Sequence, residues 1–157
     1  MNKITSLLAI LFFSLNIHAQ EISDEEYLNV YLVVSDTSRN YFELREKMFV
    51  LNQKLKTEID TMGRSYDPNK NLICLAEDDE DEIYAGGYLF RRSLSEFLSL
   101  EYLIYYQDEK NTTEKTIALV TIITDSKEEA ENKLLEVKKY SKNAFIVNSQ
   151  IYMGCMH

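Results

Sequence analysis

Three kinds of residue are scarce in this sequence, and each scarcity narrows what the protein can be. With only four glycines and one proline among 157 residues, the chain has a globular rather than a disordered composition. Only two histidines are present, His18 and His157, so a Ser-His-Asp or Cys-His catalytic arrangement has little to draw on. Basic residues number 17 against 26 acidic ones, a balance that disfavours nucleic acid and anionic lipid as partners.

The sequence has one long apolar run, and it lies at the N-terminus. Lys3 provides a positive start, residues 4–17 are almost entirely apolar, and a small-residue cleavage site ends at Ala19. The run is shorter than the about 20 apolar residues of a transmembrane helix, although an uncleaved anchor is the alternative. We therefore predict a signal peptide over residues 1–19, export to the periplasm or the medium, and a single domain over residues 20–157.

Export has two consequences for the mature chain. Removal of Lys3 leaves 16 basic and 26 acidic residues, a formal net charge of −10, which favours neutral or basic partners. Export also places Cys74 and Cys155 where disulfides persist, so we predict a bond between them. In the chain-entropy model that bond, closing a loop of roughly 80 residues, stabilises the fold by about 4 to 5 kcal/mol. The alternative is two reduced thiols.

Apolar periodicity predicts that strands and helices alternate along the mature chain. Capping-box patterns, which are typical of helix starts, begin at Asn40, Ser93 and Ser126. The predicted elements are a strand at 28–34 with a break at 35–38, a helix from 40 to about 57, a strand at 71–76, a helix at 93–107, a β-branched strand at 116–124, a helix from 126 to about 140, and a strand at 144–147.

The two strand-helix stretches that begin at residues 28 and 116 have similar sequence patterns. Each has an apolar strand, a short polar turn containing Asp36 or Asp125, and an amphipathic helix. This similarity predicts an α+β, ferredoxin-like fold with two helices on one face of an antiparallel sheet. The middle helix at 93–107 is then an insertion between the halves. The alternative makes it a crossover helix in a three-layer mixed sheet.

Residues 116–147 also carry a family resemblance. They combine the strand, a turn followed by Lys127 to Glu131, a helix over residues 132–140, and the strand Ala144-Phe145-Ile146-Val147. This stretch, about a fifth of the chain, resembles one half of a SPOR domain. SPOR domains are small ferredoxin-like modules of bacterial envelope proteins that bind peptidoglycan glycan strands. Because the family's usual Gln-and-Gly strand opening is missing, the resemblance implies the fold and an envelope role and assigns no binding residue.

Residues 83–92, IYAGGYLFRR, form the predicted ligand site. Flexible glycines flanked by aromatic rings and guanidinium groups suit stacking on a sugar ring and hydrogen bonding to hydroxyls or carboxylates. The alternative is a turn whose tyrosines pack on the core and whose arginines neutralise the acidic run before it. The predicted ligand-binding residues are Tyr84, Gly86, Gly87, Tyr88, Arg91 and Arg92.

The run EDDEDE at residues 77–82 is the predicted partner-binding segment, because such a run suits docking to a basic protein. It lacks the ligand spacing and the mid-loop glycine of a calcium-binding EF-hand, and a solvated charge run is the simpler alternative. The predicted partner-binding residues are Glu77, Asp78, Asp79, Glu80, Asp81 and Glu82.

The remaining patterns disfavour catalysis and metal binding. The C-terminal Met-Gly-Cys-Met-His combines soft ligands that suit Cu(I), but a disulfide at Cys155 would remove the thiolate, and we predict no metal and no cofactor. His157 is the only histidine of the mature chain, so we predict no catalytic residue and no enzyme. The function predicted first is an exported envelope-binding module for peptidoglycan or another sugar-containing ligand. The alternatives are an acidic inhibitor or immunity-type protein that binds a basic enzyme or toxin, and a self-associating structural protein.

Overall fold

A four-stranded antiparallel sheet with two helices on one face is the frame of the structure, a computed structural model that describes residues 27–107 and 115–154. Strand order in the sheet is β4-β5-β1-β6, and β2 and β3 form a separate antiparallel pair. The predicted α+β class is thereby confirmed. The elements are β1 (Tyr27–Ser38), α1 (Tyr41–Leu55), β2 (Ser65–Asp67), β3 (Leu72–Cys74), β4 (Ser99–Tyr102), a 3₁₀ turn (Leu103–Tyr105), β5 (Ile117–Thr124), α2 (Lys127–Val137) and β6 (Phe145–Tyr152).

The two central strands, β1 and β5, pair through an irregular register. Val34 lies opposite Val120 but Val33 lies opposite Ile122, so Thr121 has no partner on β1. The Thr121 hydroxyl donates to the Val33 carbonyl at 3.1 Å, which satisfies this bulge internally. Up to Val120, successive β5 side chains point to opposite faces of the sheet, so Ile122 would lie on the face of Val120. The extra residue at the bulge places Ile122 on the helix-covered face instead.

Both helices begin where the capping patterns predict. The Asn40 side chain accepts the backbone N–H groups of Phe42 at 3.0 Å and Glu43 at 3.3 Å. The Ser126 hydroxyl accepts the N–H of Glu129 at 3.2 Å. These bonds satisfy amides that a helix leaves unpaired at its first turn.

The two faces of the sheet carry different cores. On one face, Leu44, Met48 and Leu51 of α1 pack against β4 and β5, and Ala130 and Val137 of α2 pack against β1 and β5. On the other face no helix takes part in the described core. There the 3₁₀ turn and its neighbours supply the described cover, and the cluster contains Val30, Leu32, Val34, Leu103, Tyr106, Ala118, Val120, Ile123, Val147 and Ile151.

The predicted middle helix at 93–107 is wrong, and so are both placements considered for it. Residues 99–102 form the edge strand β4, in which Leu100 lies opposite Leu119, and a 3₁₀ turn follows. Leu98, Leu100 and Tyr102 alternate with the polar Ser99 and Glu101, which is the period of a strand. Residues 99–102 therefore adopt a strand paired with β5, although a weaker helical spacing of apolar residues is also present in the sequence.

Other predictions differ from the structure in extent. β1 continues through residues 35–38, predicted as a break, because Asp36, Thr37 and Ser38 pair with β5 after a second register shift at Ser35. β6 runs to Tyr152 rather than ending at 147, since all eight of its residues pair with β1. The signal peptide, Cys155 and His157 lie outside the described residues, so predictions about them stay predictions.

Candidate functional site

The long connection between α1 and β4, residues 56–98, carries every residue predicted to bind a ligand or a partner. Residues 76–87 form successive turns in which the Ala76 carbonyl accepts the N–H groups of Asp79 at 3.3 Å and Gly86 at 2.8 Å. Gly86 has a φ of +66°, and a Cβ at this position would overlap the Glu77 carboxylate. Only glycine fits this turn without strain.

A buried ion pair fixes this connection to β4. The Arg64 guanidinium binds the Glu101 carboxylate through two bonds of 2.6 and 2.9 Å, and both side chains are at most 1% exposed. Arg64 also donates to the Leu89 carbonyl at 2.7 Å. Burial by itself would lower the pKa of Arg64, but the hydrogen bonds and charge of Glu101 outweigh burial and raise that pKa.

Two tyrosine hydroxyls surround the same carboxylate. Tyr88 donates to Glu101 Oε2 at 2.6 Å and accepts the backbone N–H of Tyr102 at 3.0 Å. Tyr106 donates to the Arg91 carbonyl at 2.7 Å, with Glu101 Oε2 at 3.4 Å. Burial first, and then the negative charge of Glu101, raise the pKa of both phenols well above its usual value.

Arg91 lies entirely inside the protein. Its Nη1 donates to the Phe97 carbonyl at 3.0 Å and to Ser99 Oγ at 3.1 Å, its Nη2 donates to the Ser95 carbonyl, and its guanidinium stacks 3.5 Å from the Phe97 ring centroid. Burial lowers the pKa of Arg91 to about 10, which leaves the group charged at neutral pH. The guanidinium therefore binds the chain's own carbonyls, and a ligand at the surface has no access to it.

The structure separates the predicted ligand residues into two groups. Tyr88 and Arg91 attach the connection to β4, whereas Tyr84, Gly86 and Gly87 belong to the turns beside the acidic run. Arg92, half-buried, lies 5.7 Å from the ring centroid of Phe90. The alternative prediction for residues 83–92 is a turn with inward-packed tyrosines and arginines that neutralise the acidic run. Tyr88 does pack inward, but Arg91 does not contact the acidic run.

Sequence reasoning missed Arg64 and Glu101, the two charges at the centre of this network. The signal for Glu101 was its position in a stretch with strand-like alternation, where a single carboxylate faces inward beside Ser99. No comparable local pattern marks Arg64, because its partner is 37 residues away in sequence.

A polar cleft opens at the β6 edge of the sheet, and it was not predicted from the sequence. This sheet-edge cleft has a volume of about 410 Å³. Its aromatic wall is Tyr105, which is 50% exposed and stacks on Phe90 at 5.5 Å with a tilt of 17°. The described lining contains no charged side chain and consists of Ile104, Tyr105, Tyr106, Gln107, Asn148, Ser149 and Gln150.

A second cleft shares Tyr105 with the sheet-edge cleft. It has a volume of about 390 Å³ and is lined by Asn71, Leu72, Tyr102, Ile104, Tyr105 and Lys115. Because Ile104 and Tyr105 line both clefts, the two are neighbours that share a wall. We name this one the Lys115 cleft after the one charged residue in its described lining.

The acidic run at 77–82 lies at the surface. Lys70 contacts the Glu77 carboxylate, and among the described residues no ion pair involves the other five carboxylates. Ile83, which follows the run directly, is 72% exposed. The run therefore presents net negative charge beside one exposed apolar side chain.

Three further observations concern the described part of the chain only. There, no group of three or more His, Cys, Asp and Glu residues is arranged to hold a metal ion. No helix within residues 27–107 and 115–154 is both long and apolar enough to cross a membrane. Cys74 is buried on β3, but its predicted disulfide partner Cys155 is outside these ranges.

Compared with family models, with curated proteins and with solved structures, the chain gives no significant match.

Proposed function

We propose that this protein is an exported cell-envelope module that binds peptidoglycan or another sugar-containing ligand in the sheet-edge cleft. The observation that carries the proposal is the lining of that cleft, whose described residues combine one exposed aromatic ring with amide and hydroxyl groups and include no charged side chain. Export rests on the sequence pattern of residues 1–19.

The chemistry of the cleft suits a neutral, hydroxyl-rich ligand. Side-chain amides such as Gln107 and Asn148 both donate and accept hydrogen bonds, as sugar hydroxyls do. The Tyr105 ring offers an apolar face on which the C–H face of a sugar can pack. A volume of about 410 Å³ is within the range of small-ligand sites and accommodates one or two sugar rings.

The buried network prepares Tyr105 for this role. Tyr88 contacts the Tyr105 ring with centroids 4.9 Å apart, and the Tyr88 hydroxyl is bonded to Glu101. Phe90 also stacks on the Tyr105 ring, with centroids 5.5 Å apart. Tyr88 thus contributes as a positioning residue that holds Tyr105 in place before a ligand arrives, which lowers the ordering cost of binding.

The strand order of the sheet also supports an envelope role, through the fold that it indicates. The order strand-helix-strand-strand-helix-strand, with β4 and β6 at the two edges and β5 and β1 between them, is the arrangement of a ferredoxin-like fold. We propose that fold for this chain. It agrees with the fold that the resemblance of residues 116–147 to a SPOR domain implies.

Sedimentation with purified cell-wall sacculi tests the proposal. We expect the wild type to sediment with the sacculi. Tyr105→Ala should lose most of that binding, because the substitution removes the aromatic ring on which the sugar packs. Tyr140→Ala is the matched control, since Tyr140 is 51% exposed on another surface. Asn148→Ala, at an exposed position of β6, provides a second cleft variant that leaves the aromatic packing intact.

Two results would contradict the proposal. One is the absence of wild-type sedimentation with sacculi and with neutral polysaccharide. The other is equal loss of binding by the Tyr105 and Tyr140 variants, which would place the contact away from the cleft.

The acidic run favours a second candidate function, an acidic inhibitor or immunity-type protein that binds a basic exported enzyme or toxin. Its support is the uncompensated charge of residues 78–82 next to the exposed Ile83, since an apolar anchor within a charged rim is typical of a protein interface. Association through this surface should weaken steeply between low and high salt and upon Asp81→Asn. A partner whose affinity is the same at both salt concentrations would exclude this use of the run.

A further inference from the structure

We propose that the ligand extends past Tyr105 into the Lys115 cleft and carries a carboxylate that Lys115 binds there. The inference rests on the proposed function and narrows its ligand from any sugar-containing molecule to an extended chain with an anionic substituent. It follows from the contrast between the described linings of two neighbouring clefts, one without a charged side chain and one with Lys115.

The geometry favours one ligand across both clefts. Tyr105 and Ile104 line both clefts, so a chain that packs on the exposed part of the Tyr105 ring lies next to both. The two volumes, about 410 and 390 Å³, are similar, as expected for successive units of a chain polymer. An isolated small molecule would use one cleft and leave the other empty.

The Lys115 cleft has donors matched to a carboxylate. Lys115 is exposed, and no described residue forms an ion pair with it. The Asn71 side-chain oxygen accepts a bond from the Tyr66 hydroxyl at 2.6 Å, which leaves the Asn71 NH₂ group to donate. One ammonium and one amide donor suit the two oxygens of a single carboxylate, whereas a phosphate usually meets several cationic donors.

The rest of the lining suits the carbon skeleton that carries such a group. Leu72, Ile104 and the Tyr102 ring provide apolar surface between the two donors and Tyr105. The chain has 26 acidic and 17 basic residues, so most of its surface repels an anionic ligand. An exposed lysine in a cleft is therefore a favourable place for such a ligand to bind. Lys115 therefore decides which end or substituent of the ligand enters this cleft.

Calorimetry with two tetrasaccharides of equal length tests the inference. One probe is the neutral N-acetylglucosamine tetramer, and the other alternates N-acetylglucosamine with glucuronic acid, so that a carboxylate reaches the second cleft in either register. At low salt we expect the wild type to bind the carboxylated probe about fivefold more tightly, a difference of about 1 kcal/mol. Lys115→Gln should remove this preference, so that the variant binds the two probes with equal affinity.

Lys127→Gln is the matched control, because Lys127 is an exposed lysine on α2 that lines neither cleft. It should keep the fivefold preference. Equal wild-type affinity for the two probes, or a preference that survives Lys115→Gln, would overturn the inference and leave the proposed function standing. Failure to bind either probe or sacculi would overturn the proposed function and this inference with it.

Discussion

The two strand-helix-strand units of the sheet return from helix to sheet in different ways. In the second unit, seven residues join α2 to β6, and the strand follows almost directly. In the first unit, 43 residues separate α1 from β4, and they include a hairpin, the acidic run and both buried arginines. The comparison teaches that local signals suffice for a short return, whereas a long return needs side chains that attach it to the sheet.

The interiors of the two units differ accordingly. α2 packs through Ala130 and Val137 against Val33 and Ile122, an apolar contact that tolerates some variation in geometry. The first unit instead encloses Arg64, Glu101 and Arg91 at 5% exposure or less. A buried charge network depends on every partner, because removing one leaves another charge without compensation.

The largest effect is expected at the centre of that network. Glu101→Gln leaves the Arg64 charge buried without a counterion and should lower the free energy of unfolding by about 3 to 5 kcal/mol, measured by urea denaturation. Glu131→Gln is the control in the second unit, since its contact with Lys127 is 3.6 Å long and exposed, and it should cost at most about 1 kcal/mol.

A double variant sharpens the same comparison. Arg64→Leu combined with Glu101→Leu removes both charges together, so it should lose less stability than the sum of the two single changes. If the double variant loses as much stability as the two single variants together, the Arg64–Glu101 pair does not attach the connection to β4. The two units would then not differ in how the chain returns to the sheet.

An alkaline titration tests the tyrosines of the network. The pKa values of Tyr88 and Tyr106 are raised in the folded protein, so their contribution to stability is complete below pH 10 and is lost as pH rises through their folded values. Each phenol should lower the free energy of unfolding by about 1.4 kcal/mol per pH unit above pH 10. Arg91, whose pKa is lowered to about 10, acts in the opposite direction and offsets about one phenol.

Tyr106→Phe isolates one of these contributions. Its stability curve, measured by thermal unfolding between pH 8 and 11, should decline less steeply above pH 10 than the wild-type curve, by about 1.4 kcal/mol per unit. A variant curve parallel to that of the wild type over this range would show that Tyr106 ionises as readily folded as unfolded.

The smallest effect is expected where the two units are alike. Asn40→Ala and Ser126→Ala each remove one helix cap and should each lower the free energy of unfolding by about 1 kcal/mol in chemical denaturation. Asn40→Asp and Ser126→Asp keep an acceptor at each cap and should retain most of the stability. Markedly unequal losses at the two caps would show that local signals matter more in one unit than in the other.

The same contrast explains how much could be predicted from the sequence. Both helices, their capping residues and β5 were predicted correctly, because each leaves a periodic or β-branched pattern within a few residues. β4 was taken for a helix, since Ser93 and Glu96 imitate a cap and the strand alternation spans only five residues. The site could not be predicted, because the sheet-edge cleft joins residues 104–107 to residues 148–150.

The α+β class, the two helix starts, the central strand β5 and the acidic composition can all be read from the amino-acid sequence. These features depend on side chains that are neighbours along the chain. Packing of distant residues is needed to place Glu101 against Arg64 inside the protein, to make Arg91 inaccessible, and to bring Tyr105 into two clefts of which only one has a charged residue in its described lining. The reason is that burial and pairing between distant residues are properties of the packed chain, and no local pattern encodes them.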